Sequence, residues 1–370
     1  MSQKNLIPLF IKDRYLLTKK GSTKETFHIT FNRKDSSYKV GDAIAIFPEN
    51  AIEEVEEVLA LLPFSPNALI THPKNQQQYT LQNFLQKQAN LRKIRLSLLV
   101  AICARIKHSF LQELLQQDNK ERLSLLLQDW GLADFLRHIP MPLSEQEFLS
   151  HLLPLLPRFY SIASSPLVFP NEMHITVACF SYLQGTTLRE GIASRFLCHA
   201  ATSTTSIFGY IQPNKDFTLP TDPAKNIIMV GSGTGIAPYK GFLEERTHTK
   251  AAGKSWLFFG ERNEQYDFFY QDFFQACVER GNLILDVAFS RDQKEKIYVQ
   301  HKIEQQAKEI FRWLEEGSTL YICGDAKRMA RDVESTLCSL IAKERICSAQ
   351  ESYLYIKELR REKRYLLDVY

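Results

Sequence analysis

Several short stretches of the chain carry side chains able to grip a charged or aromatic ligand. RFYS (158–161) lines up a cation, two aromatics and a hydroxyl. Arg158 could pair with a phosphate, Tyr160 could lie flat on an aromatic ring, and Ser161 could hydrogen-bond a ring nitrogen. GIAS (191–194) offers Gly191 for close approach, and backbone N–H groups with Ser194 for a pyrophosphate. The same letters also describe an ordinary helix start. VGSGTGIAP (230–238) lies between an apolar run and a helical one. Gly231, Gly233 and Gly235 leave room for a phosphate against backbone N–H groups, Thr234 adds a hydroxyl, and a helix start adds its positive dipole end. These glycines alternate instead of following G-x-G-x-x-G, so a structural turn is an equal reading.

SRDQKEKIYVQ (290–300) follows another apolar run. Ser290, Arg291, Lys296 and Tyr298 bring two cations and two hydroxyls, which suit a 2′-phosphate dianion. A site for an unphosphorylated ribose would set a carboxylate there. Asp292 slightly opposes the cationic reading, and a solvated loop has the same composition. Cys323, in CGD (323–325), could border a nicotinamide or be a buried structural thiol. Asp332, in MARDV, reads as a helix-surface charge.

These stretches need elements to hold them. TFHITF and YKVGDAIAIFP alternate polar and apolar residues as strands do, with Gly41-Asp42 as a turn signal. HITVACFSYL and SIFGYI are strand-like again. Between them no Gly occurs from Gly41 to Gly131 and no Pro from Pro73 to Pro140, and Leu111, Leu114 and Leu115 recur at helical spacing. Residues 66–153 therefore read as an all-helical insertion in one β domain, 1–65 with 154–221. From 222 to 370 the apolar strands IIMVGS, SWLFFG, LILDVAF and STLYICG alternate with helical segments, which predicts a parallel α/β sheet with ligands beyond its carboxyl ends.

The bulk numbers agree with a folded, globular protein of ordinary soluble composition. Of 370 residues 44% are hydrophobic and 24% charged, ample for a core over two or three domains. A net charge of +4 is too weak to indicate nucleic acid. The seven cysteines show neither zinc-like spacing nor a disulfide framework, which suits a reducing compartment. The amino terminus carries no signal-like apolar region, and the longest apolar stretch, Leu96 to Ala104, is too short to span a membrane. The expected location is the cytoplasm, with no metal and no membrane partner.

Taken in order, RFYSIASSP, HITVACFSY, GIASRFL, FTLP, IIMVGSGTGIAPYKGFLEER, LFFGERNEQYDFFY, AFSRDQKEKIYVQ, CGDAKRMARDV and the terminal RYLLDVY resemble the FAD/NADPH half of the diflavin reductases, relatives of ferredoxin–NADP reductase. With YKVGDAIAIFPEN the resemblance spans nearly the whole chain. The ending DVY looks most like the flavoprotein component of sulfite reductase.

The resemblance implies an antiparallel β-barrel that binds FAD, followed by a Rossmann-like NADPH domain with a flavin-stacking tail. Arg158, Phe159, Tyr160 and Ser161 would hold the flavin, with Ser161 near its N5. Thr176, Val177, Ala178 and Tyr182 would line the FAD site, and Gly191, Ile192, Ala193 and Ser194 would cradle its pyrophosphate. Thr234 would meet the NADPH pyrophosphate, Lys24 would add a distant phosphate contact, and Asp332 would touch NADPH. Ser290, Arg291 and the run Lys296, Ile297, Tyr298, Val299, Gln300 would read the 2′-phosphate side. Cys323 would border the nicotinamide, Tyr370 would stack on the isoalloxazine, and Asp368 would assist Ser161 and Cys323.

Two departures stand out: Tyr239-Lys240 where the family commonly has Phe-Arg, and Thr218 where many relatives are basic. The resemblance starts almost at the β domain, so the FMN-binding module that precedes this region in diflavin enzymes is not expected. The expected activity is hydride transfer from NADPH to FAD, then electron delivery to a separate acceptor. That acceptor would be a sirohaem sulfite reductase subunit or an FMN or iron–sulfur carrier.

Overall fold

The computed structural model describes residues 6–33 and 37–370. The chain divides into two compact units. The first takes Met1–Ala45, Phe159–Ala178 and Thr202–Tyr370, and the second Ile46–Arg158 and Cys179–Ala201.

The first unit opens with six strands: β1 (Ile7–Leu16), β2 (Thr26–Asn32), β3 (Ala43–Ile46), β4 (Arg158–Ser161), β5 (Glu172–Ala178) and β6 (Ile207–Gln212). Their order is β4-β3-β6-β1-β2-β5. β1 pairs antiparallel with β6 and β2, and β2 with β5. The two edges meet just past β4, where Ile162 bridges Ile175 and the Ala163 N–H donates to the His174 carbonyl (2.8 Å). That closure makes a barrel and leaves no long free edge. YKVGDAIAIFP is not one strand, because Gly41 turns at φ +95°, where a Cβ would lie 1.9 Å from the Phe217 carbonyl oxygen. The Asp42 carboxylate pins the turn by accepting from the N–H groups of Lys39 (2.8 Å) and Asn214 (2.9 Å).

Five further strands follow: β7 (Ile227–Ser232), β8 (Ser255–Glu261), β9 (Leu283–Phe289), β10 (Thr319–Gly324) and β11 (Tyr365–Val369). They form one sheet in the order β9-β8-β7-β10-β11, with all neighbours parallel. Strand alternation splits the apolar residues between two cores. Ile228, Val230, Phe258 and Ile322 face one core with the helix Met329–Arg345. Met229, Phe259, Tyr321 and Cys323 face the other, with Tyr239 and Phe242 of the helix Ala237–His248.

In the second unit helices begin at Ile52–Ala60, upstream of the stretch read as helical, and run to Glu145–His151. Leu111 and Leu114 are buried in its core with Leu99, Phe135 and Phe148. The THPKNQQQYT stretch is not helical but carries a hairpin, Leu69–Thr71 with Gln78–Thr80. Its Pro73 restricts the backbone before it, and Gln76 sits at φ 60°. HITVACFSYL is likewise broken: β5 ends at Ala178, and Ser181–Gln184 pairs with Thr187–Glu190 as a separate hairpin.

On the outer side of the first unit's barrel lies a buried polar chain. Thr176 Oγ1 shares a hydrogen bond with the Tyr270 hydroxyl (2.6 Å), which meets His28 Nδ1 at 3.0 Å. The His28 and His174 rings meet edge to face at 4.8 Å. Burial pushes the His28 pKa down to about 2 and that of His174 down to about 4. Both stay neutral when folded and take up protons on unfolding below about pH 6.5, so stability should fall as pH drops from there towards 4. Each histidine should cost up to about 1.4 kcal/mol per pH unit in this window. Urea unfolding at pH 7, 6 and 5 checks this. A His174→Gln variant should lose part of the slope, and an identical slope would contradict the burial argument.

Candidate functional site

The site is built where β10 and β11 end. Their parallel register sets Cys323 directly beside Asp368. The Ser161 hydroxyl, at the end of β4, donates to Asp368 Oδ2 at 2.7 Å. The Cys323 thiol approaches the same oxygen at 3.7 Å. One carboxylate oxygen therefore gathers a hydroxyl from the barrel and a thiol from the parallel sheet. Cys323 is fully buried, and burial together with the Asp368 charge pushes its pKa well above the ordinary thiol value. It is a neutral thiol, not a thiolate nucleophile.

The Gly-rich stretch leaves β7 through a single tight turn, Gly233–Ile236, and enters the helix Ala237–His248. Two of its glycines have partners inside the protein. A Cβ on Gly235 would lie 2.2 Å from the Cys323 carbonyl oxygen, and one on Gly231 would lie 2.8 Å from the Tyr239 ring. Gly233 instead supplies a left-handed turn at φ +56°. The turn is thereby pressed against the end of β10. Thr234 Oγ1 and the Tyr370 hydroxyl share a 2.6 Å hydrogen bond. The Tyr370 N–H donates to the Gly324 carbonyl (3.1 Å), and its carbonyl accepts from the Ala326 N–H (3.2 Å). The terminal ring is tied at both ends yet 67% exposed, an anchored aromatic face suited to stacking on a planar ring.

Beyond β8 and β9 lies a cationic rim. The Ser290 N–H donates to the Glu261 carbonyl and the Arg291 N–H to the Arg262 carbonyl, both at 2.8 Å. Arg291, Lys296 and Tyr298 are exposed. The Asp292 carboxylate is held by the Asn263 side chain and the Glu264 N–H, each at 2.8 Å; these neutral donors fix its place and leave its negative charge beside the cations. Gln300 Nε2 donates to Asp332 Oδ2 at 3.4 Å, so these two expected residues do meet. The side chains of Ile297 and Val299 pack against the sheet's core, and Val299 is buried. Such a rim, with a Gly-turn and a helix start, suits a phosphate-bearing dinucleotide.

On the barrel, Phe159 is exposed and meets Tyr210 edge-on, while Tyr160 and Ser161 are half-buried and Arg158 is exposed. Thr176 and Val177 are both buried in β5, with the Thr176 hydroxyl turned to Tyr270. Ala178 is half-buried. In the second unit Gly191 caps a short helix, Ile192–Arg195. A Cβ on Gly191 would strike the Phe180 ring at 2.5 Å, and Phe180 stacks on the exposed Tyr182. The Ser194 hydroxyl is buried and donates to the Gly191 carbonyl (3.1 Å), so it serves the turn itself. Ile192 is half-buried and Ala193 buried.

The partners of two expected cations, and one further cation, escape sequence reasoning. Lys240 is buried, ion-paired to Glu244, and donates to the Ala163 carbonyl (3.2 Å). It locks the segment after Ser161 and does not replace a phosphate-binding guanidinium. Lys24 is ion-paired to the buried Glu261, so its charge is already engaged. Arg262, whose guanidinium donates to Thr23 Oγ1 (2.8 Å), joins the rim beside Arg291. The only signal for Glu261 and Arg262 was their place after the apolar SWLFFG.

Comparison with known proteins agrees with this arrangement. Residues 1–196 match the FAD binding domain and residues 229–335 the oxidoreductase NAD-binding domain. The chain belongs to the FAD-binding domain family, and the expected pair of cofactors, FAD and NADPH, accords with these two domains. It is 38% identical over 358 residues to the sulfite reductase [NADPH] flavoprotein alpha-component of Bacillus subtilis (strain 168), covering 96% of this chain and 59% of that one. It is 37% identical over 357 residues to the same component of Mannheimia succiniciproducens, again covering 96% and 59%. The chain thus spans about three-fifths of the length of the curated relatives it matches. No described helix is long and apolar enough to cross a membrane.

Because the methyl of a Gly235→Ala variant would meet backbone at Cys323, the turn must shift. Urea unfolding should show a loss of about 1–3 kcal/mol, with weaker NADP+ binding by calorimetry. An unchanged melt and affinity would contradict the packing.

Proposed function

From the premise of FAD-binding family membership, we propose that this chain takes hydride from NADPH onto FAD and passes electrons on as the flavoprotein part of a sulfite reductase. Support for the acceptor comes from relatives named sulfite reductase [NADPH] flavoprotein alpha-component. The haem-bearing partner would be a separate protein. The observation that carries the redox reading is the convergence of Ser161 and Cys323 on one Asp368 oxygen beside the exposed Tyr370 ring. We read 222–370 as the NADPH-binding part, and the barrel with Arg158, Tyr160 and Ser161 as the flavin-binding part.

When bound, FAD and NADPH supply the hydride acceptor and donor themselves, and the protein supplies orientation and electrostatics. Asp368 fixes the Ser161 hydroxyl by accepting its proton in a hydrogen bond, which leaves the oxygen's lone pairs at a known place. Cys323 adds a neutral, polarisable wall without a competing negative charge. Tyr370, held by Thr234 and Gly324, would cover the flavin ring and give way to the nicotinamide, excluding water until then. Arg291, Lys296 and Tyr298 would take the 2′-phosphate.

Arg291→Ala should weaken NADPH by about 10- to 100-fold while leaving NADH within about threefold, the loss expected of one charge-assisted contact. KM measurements with both dinucleotides check this, and equal losses would remove the 2′-phosphate assignment. Ser161→Ala and Asp368→Asn should each slow anaerobic flavin reduction about 10- to 100-fold, and the double variant should be no slower than the worse single one. Additive losses in stopped-flow traces would mean that the two residues do not act through one hydrogen bond.

A further inference from the structure

A carboxylate stands where the site should be most cationic. Glu261 closes β8 and is buried. Its Oε1 lies 3.4 Å from where Gly233 would carry a Cβ, so it adjoins the Gly-rich turn. On its other side its own carbonyl accepts from the Ser290 N–H (2.8 Å), and its Oε2 accepts from the Arg262 N–H (2.7 Å). Glu261 therefore sits between the turn and the Ser290–Arg291 segment. An anion held by both would feel its charge directly.

Among the described residues that charge has one cationic partner within ion-pair distance, Lys24, which arrives from the barrel's Thr18–Lys24 loop. The loop is docked there by several bonds. The Lys19 N–H donates to the Tyr266 carbonyl (2.8 Å), the Ser22 hydroxyl to Asp267 Oδ1 (2.6 Å), and Arg262 to Thr23. The Lys24 ammonium also lies 5.0 Å from the Phe269 ring centre. Asp267, the other buried carboxylate nearby, is satisfied by Ser22 and the Asn263 N–H (3.1 Å).

We propose that Glu261 is a built-in competitor for the dinucleotide's phosphates: it opposes their charge and holds Lys24, which cancels it only while the two are paired. The pair sets how tightly the oxidised dinucleotide is held, and so how readily it leaves. This rests on the NADPH-binding reading above. Removing the carboxylate should free a cation for the phosphates, whereas removing Lys24 should leave a bare carboxylate facing them.

Calorimetric titration of the FAD-loaded chain with NADP+ tests this. Glu261→Gln should tighten binding about tenfold and steepen its salt dependence, and Lys24→Met should weaken it by a similar factor. The double variant should return to within about threefold of the parent. Should Glu261→Gln fail to fold, Lys24→Met still decides: its loss should shrink as pH is lowered, because burial holds the Glu261 carboxyl above the usual range and losing Lys24 favours its neutral form further. Unchanged or weaker binding in Glu261→Gln, or a gain that survives in the double variant, overturns the proposal while leaving the NADPH reading intact. A parent protein that binds no NADP+ removes that reading, and the proposal falls with it.

Discussion

The site depends on the parallel pairing of the last strand, Tyr365–Val369, with Thr319–Gly324. That register puts Asp368 beside Cys323 and brings Tyr370 to the Gly-rich turn. The barrel must then deliver Ser161 to the same carboxylate. A shift of one residue in β11 would turn Asp368 to the opposite face, and the hydroxyl, the thiol and the terminal ring would lose their common anchor.

The approach of Ser161 is set by a second constraint, the helix Ala237–His248. Its Lys240 and Glu244 form an ion pair one turn apart, and both are buried. Burying two charges is costly unless their remaining hydrogen bonds are met. Here the Ala163 carbonyl accepts from Lys240, and the Ser165 N–H donates to Glu244 (2.9 Å). The Ser165 hydroxyl adds a bond to Glu245 (2.8 Å). One rigid helix thus starts at the turn that holds Tyr370 and ends its work on the segment that follows Ser161. It fixes the spacing between the two sides of the site.

Much of this was legible in the residues. Near-continuously apolar strands such as IIMV and TLYI announced a parallel sheet buried on both faces, because such a sheet offers little water to polar side chains on either face. Ser161 and Cys323 stood out by their residue types, Asp368 and Tyr370 entered through resemblance, and the structure sets Ser161 and Cys323 against Asp368 with Tyr370 two residues on. What stayed hidden were pairings across long sequence separations. Lys24 looks like a free cation until Glu261, 237 residues later, is seen beside it. Nothing in the letters around Thr176 points to Tyr270, which shares its hydrogen bond. Val299 sits in a charged stretch whose composition conceals that its side chain turns into the core. The glycines of VGSGTG were read for the space they leave a ligand, whereas Gly235 is required by its own neighbour, the backbone of Cys323.

The central claim is that this one chain holds both partners of a hydride transfer. Its most direct test is the visible absorbance of the FAD-loaded protein under anaerobic conditions, titrated with NADPH. The account predicts that the oxidised flavin band bleaches at stoichiometric NADPH and returns when air is admitted. A chain that retains FAD yet keeps its oxidised spectrum in excess NADPH would contradict it.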